Sequence, residues 1–240
     1  MILQHSIPYD TSHEPRLPGI QPMSMADWLI IDDAFSGQMA RRSDLLTNQR
    51  HAVLAMQPAA LPAAQELLDL VLATLDPRYI RSANTIRRPD GISVAIDAND
   101  PLHTLGHLVQ EDLCILEKQG DEHVLTAAVL CFPASWMLAE KFGRALLGIH
   151  IPVPSYDANI GARVQRLFDG IQPDRPLWRW NGLRYADPEL HQPCSESDRR
   201  ARPTNPRFFR SERQSLVRLP KTRAVVFSIH TYVVSLGEAD

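Results

Sequence analysis

Between residues 108 and 133 two apolar runs, LVQEDLCIL and HVLTAAVLCF, meet across a polar turn, and this pairing restricts the fold more than any other feature. Gln119, Gly120 and Asp121 break the pattern between them, so the runs read as two antiparallel strands. The second run, residues 123–132, is apolar at nearly every position rather than at alternate ones, so its strand is expected to be buried on both faces.

The flanking segments supply helices and three more strands. Ser135 is placed to cap a helix over residues 136–147, with Gly148 expected to end it in a left-handed conformation. A further helix is expected over residues 159–168, then strands over 177–185, 209–219 and 224–236, with a long polar loop at 187–206. Toward the N-terminus, Pro8, Pro15, Pro18 and Pro22 suggest an extended arm over the domain. Helices are expected over residues 37–56 and from Pro62, where Leu67, Leu68, Val71, Leu72 and Leu75 recur at helical spacing until Asp76-Pro77. The pair would form an αα-hairpin. The fold class is therefore α+β with an antiparallel sheet, divided into an arm at 1–36, a helical extension and lead-in at 37–100, and the main domain at 101–240.

The 240 residues are 44% hydrophobic and 22% charged, with a net charge of −3, which argues against a nucleic-acid partner. Basic residues crowd positions 199–223, but Glu196, Asp198 and Glu212 are interleaved with them, so this segment reads as a solvated, partly paired face. Cys114, Cys131 and Cys194 form no CxxC pair, which excludes a zinc ribbon or an iron–sulfur cluster held by this chain and suits a cytoplasmic location. The first residues lack the apolar core of a signal peptide, and no run is apolar enough for a membrane span.

Two places hold candidate chemistry. In GIHIPVP, His150 lies just past an expected helix end on a backbone stiffened by Pro152 and Pro154. A rigidly aimed, poorly hydrated imidazole suits an axial haem ligand; a histidine favourable to the helix dipole is the plainer reading from position alone. In the strand RSERQSL, alternation places Arg213 with Ser211, Ser215 and Val217, and Glu212 on the opposite face with Arg210 and Gln214. An arginine there could polarise bound oxygen and a carboxylate could hold an amine cation, against the alternative of solvent-facing ion pairs. Gln110-Glu111-Asp112 reads more simply as a helix end or turn cap, and His103 with His107 lacks a third zinc ligand. His230, on a face with Val226, Ser228 and Tyr232, is the rival to His150, and the aromatic set of Trp136, Trp178, Trp180 and Tyr232 reads as core.

Taken in order, QEDLCIL (110–116), FPASWMLAEKFGRALLGIHIPVP (132–154), RWN (179–181), SERQSLVRLPKT (211–222) and VVFSIHTY (225–232) resemble the haem-dependent oxidative N-demethylase family. The resemblance runs over about residues 37–236 and departs at Gly182, where an aromatic residue is expected, and at His230, where another residue, often basic, is expected.

It implies a PAS-like fold holding haem b through His150 as axial ligand of the iron, with Glu212 and Arg213 in reach of the distal pocket. Arg213 would polarise oxygen and Glu212 would orient or deprotonate the substrate. The implied activity is that of a haem monooxygenase removing a methyl group from a small secondary amine such as dimethylamine, releasing formaldehyde. Electrons would come from separate reductase subunits carrying NADPH, FMN and a 2Fe–2S cluster. A haem-binding PAS sensor without catalysis is the alternative.

Overall fold

The computed structural model describes residues 1–13, 19–150, 158–198, 201 and 203–237, with the side chains of residues 150 and 158–160 left out. The strands are β1 (Gln21–Pro22), β2 (Leu54–Met56), β3 (Ile80–Arg81), β4 (Thr85–Arg87), β5 (Ser93–Ala95), β6 (Asp112–Gln119), β7 (Glu122–Val129), β8 (Leu177–Tyr185), β9 (Phe208–Arg218) and β10 (Val225–Ser235). The helices are α1 (Phe35–Asn48), α2 (Arg50–Val53), α3 (Leu61–Thr74), α4 (Pro101–Leu108), α5 (Leu138–Lys141), α6 (Leu146–His150) and α7 (Ala158–Gly170).

The expected α+β class holds. An antiparallel seven-stranded sheet runs β1-β8-β9-β10-β6-β7-β2, and β3-β4-β5 form a small second sheet. The hairpin β6–β7 turns at Gly120, whose φ of 62° favours glycine, and β7 is buried at all but its first residue, as its continuous apolar run requires.

Two cores cover the two faces of the sheet. On one, Trp28 of the N-terminal arm and Leu45, Leu46, Leu67, Val71 and Leu105 of α1, α3 and α4 meet Leu113, Ile115, Val217 and Val226. On the other, Leu138, Leu146 and Phe168 from α5, α6 and α7 meet Cys114, Leu116, Leu216, Val225 and Ile229. The registers Leu216↔Phe227 and Gln214↔Ile229 alternate with Ser215↔Ser228, so strand parity decides which core a side chain enters.

Several expectations are corrected. Residues 54–56 leave the helical pattern and become β2, covering the edge of β7 through Leu54↔Val129, so α1 and α3 form no simple hairpin and each packs on α4 instead. The expected helix at 136–147 is broken. Gly143 takes the left-handed conformation (φ 77°), while Gly148 lies inside α6. The cause is β7: Gly143 donates to the Leu125 carbonyl and Leu125 to that of Arg144, and these strand-like bonds replace helical ones. The basic segment is solvated only in part: Arg207, Lys221 and Arg223 are exposed. Arg210, Arg213 and Arg218 are all buried in β9, and Arg218 donates to the carbonyls of Phe168, Ile171 and Arg223. Among the described residues no helix is long and apolar enough to cross a membrane.

Candidate functional site

Glu212 sits mid-strand in β9, opposite Asn181 of β8 and Thr231 of β10. The three form one row across adjacent strands, on the face that Leu216 shares with α6 and α7. Asn181 Nδ2 and Gln214 Nε2 each donate to Glu212 Oε2 at 3.1 Å. Glu212 Oε1 is buried without a hydrogen bond among the described residues; its nearest charge is Arg210 Nη2 at 3.7 Å. Asn181 Oδ1 and Thr231 Oγ1 are likewise buried and unbonded. Three acceptor-capable oxygens in one row lack donors, a costly arrangement unless a ligand supplies them.

Burial pushes the Glu212 carboxyl above its usual range, although the Arg210 charge and the bonds from Asn181 and Gln214 pull it back. Arg210 itself is locked by the carbonyls of Leu190 (2.8 Å) and Phe132 (2.5 Å).

Arg213 does not join Glu212. As alternation requires, it projects to the opposite face, where its guanidinium lies 4.9 Å from the centre of the Trp178 ring and 3.5 Å from Met23 Sδ. His230 is on that face too, with both ring nitrogens engaged at 3.0 Å, one by Glu111 and one by Asp32. Burial opposes its charge, but these two carboxylates raise its pKa to about 9. With both ring nitrogens held by carboxylates, His230 acts here as a partner in a buried ionic cluster.

His150 ends α6 on the Glu212 side of the sheet; its side chain lies outside the described residues, as does the segment 151–157. Lys141 of α5, itself buried, donates to the carbonyl of Ile149, the residue before it, and to Glu196. Glu140 in turn accepts from Ser195 Oγ at 2.6 Å and from the Glu196 backbone at 2.9 Å, which ties α5 to the loop between β8 and β9. Asp112 proves structural: it binds Arg42 and the backbone amides of Cys131 and Phe132. His103 and His107 meet each other on one face of α4, and no metal-binding cluster occurs among the described residues.

Residues 19–240 match the family model for haem-dependent oxidative N-demethylase, alpha subunit-like proteins. The chain belongs to that family. Haem is thus the cofactor to test against this N-demethylase-like chain, and the name alpha subunit marks one component of a multi-subunit complex. The Glu212 face fits such a group. Around its core, Trp136, Phe142, Ile149, Val164 and Phe227 are only partly buried, which suits an apolar plate, and the unbonded row lies on the same face of the sheet.

The departure at Gly182 also has a physical reason. A Cβ there would lie 2.5 Å from Phe209 Cζ, so the glycine leaves room for an aromatic ring donated by the neighbouring strand. The roles of Asn181 and Thr231 went unread in the sequence. The only available signal was their shared parity with Glu212 in strands whose pairing was not yet known.

Proposed function

We propose that this chain is the oxygenase component of an oxidative N-demethylase, with a PAS-like core and haem b held by His150, acting on a small secondary amine such as dimethylamine. The observation that carries the reading is the buried row Asn181–Glu212–Thr231, on the face of α6, in a chain of the haem-dependent N-demethylase family.

Haem, when bound and reduced by partner subunits carrying NADPH, FMN and 2Fe–2S centres, supplies the activation of dioxygen. The chain supplies the rest. A dialkylammonium ion brings N–H donors, and Glu212 Oε1 meets it as an acceptor with no hydrogen bond among the described residues, with Asn181 Oδ1 and Thr231 Oγ1 in the same row. Because burial raises its pKa, Glu212 can take the ammonium proton at Oε1 and leave a neutral amine with its methyl group oriented. The oxidised methyl group leaves as formaldehyde and the nitrogen as the primary amine. Arg213, on the far side of the sheet, takes no part.

The test is the visible spectrum of protein expressed with haem precursor, beside His150→Ala, followed by amine-dependent formaldehyde release with a chemical reductant. A Soret band lost or shifted in the variant, with formaldehyde formed by the wild type, is expected. Absence of the band ends the reading; a band with no formaldehyde from any small amine leaves a haem-binding sensor in its place.

A further inference from the structure

The opposite face of the sheet carries a second arrangement, around the arginine that the proposed reaction does not use. The N-terminal strap is pinned at both ends. Gln4 exchanges bonds with Val233 of β10, Gln21 pairs with Trp178 of β8, and Tyr9 reaches Ser211 of β9. Between these ends, Tyr9 drops its ring among Trp178, Trp180 and Tyr232, with centroid separations of 5.5, 5.8 and 5.8 Å. Its hydroxyl meets Ser211 Oγ at 2.9 Å.

The surroundings are poorly matched to a phenol. Arg213 is 8% exposed, yet its only hydrogen-bond acceptor among the described residues is the Met23 thioether, and its charge otherwise rests on the Trp178 ring. A guanidinium buried without an oxygen acceptor is expensive and favours an anion beside it. Tyr232 is 1% exposed, and its hydroxyl has no hydrogen bond among the described residues. An open cleft of about 260 Å³ lies between Ile7 and Thr11, each two residues from Tyr9 in the strap, and Arg184, Phe209, Val234 and Leu236.

We infer that this face binds a small aromatic carboxylate, its ring replacing that of Tyr9 between Trp178, Trp180 and Tyr232 and its carboxylate on Arg213, with Tyr9 as a displaceable plug. The aromatic walls select a flat ring, Arg213 selects the anion, and the unbonded Tyr232 hydroxyl supplies a further donor. The ligand must compete with the plug, so its apparent affinity is lowered by the fraction of closed strap. The site is separate from the Glu212 face and stands whether or not that face performs demethylation.

Benzoate is the probe, followed by tryptophan fluorescence in wild type, Tyr9→Ala and Tyr9→Ala/Arg213→Gln, each checked for folding by circular dichroism. Tyr9→Ala is expected to bind benzoate about tenfold more tightly than wild type, since the competing closed state is gone. The added Arg213→Gln change is expected to weaken binding by about tenfold or more. Hydrogen exchange of residues 5–13 in the wild type should quicken when benzoate is present. Absence of saturable quenching in folded Tyr9→Ala, or affinity indifferent to Arg213, overturns the inference. So does unfolding of Tyr9→Ala, which would show the ring to be core rather than plug.

Discussion

Asn181 and Glu212 face each other across the β8–β9 register, and their bond leaves the second carboxylate oxygen buried without a hydrogen bond among the described residues. That half-satisfied pair is where stability and function diverge, because the feature that weakens the fold is the one that can receive a cation.

Glu212→Gln tests this directly. Burial places the native pKa above the ordinary carboxylate value, so folding favours the protonated form and Glu212 costs stability as pH rises above about 4.5. The variant is expected to melt no lower than wild type at pH 8. It should bind a dialkylammonium substrate more weakly by roughly 2 kcal/mol, the scale of a hydrogen bond to a charged group. A variant that melts lower and turns over normally would show that Glu212 is structural.

His230 should give stability a basic limit. Its folded pKa of about 9 lies above the ordinary 6.5, so its contribution is fully present below pH 6.5 and is lost as pH rises through 9. The loss is on the order of 3 kcal/mol. Urea denaturation from pH 6 to 10 should show this slope in wild type and not in His230→Gln; equal slopes would place the titration elsewhere.

Arg42 and Asp112 form a fully buried ion pair at 2.6 Å, and Asp112 also holds the amides that follow β7. Asp112→Asn strands the Arg42 charge, so a loss of about 3–5 kcal/mol is expected by denaturant titration. A loss under about 1 kcal/mol would mean that the pair is hydrated and weak.

Lys141 positions the end of α6 through the Ile149 carbonyl. Lys141→Met is expected to speed haem loss by about tenfold and shift the Soret band, with Lys141→Arg restoring most of the effect. A spectrum unchanged in Lys141→Met but altered in His150→Ala would keep the ligand and remove the positioning role.

How much of this was legible in the chain varies element by element. The last three strands, the β6–β7 hairpin and α3 follow from local periodicity and turn residues, and the structure places them within a residue or two of expectation. The opposition of Glu212 and Arg213 follows from parity alone. The breaks at Gly143 and at β2 do not. They arise because β7 offers backbone hydrogen bonds to segments whose own pattern reads as helix, and a distant partner is invisible to a local period.

The sequence by itself determined which residues share a strand face, since a period of two is a property of the backbone. Only the tertiary structure decided what covers each face. It set α6 and α7 over Glu212, the strap and Tyr9 over Arg213, and two carboxylates around His230. Burial and partners come from segments up to 229 residues apart in the chain, and they, rather than residue type, make one charged side chain reactive and the next structural.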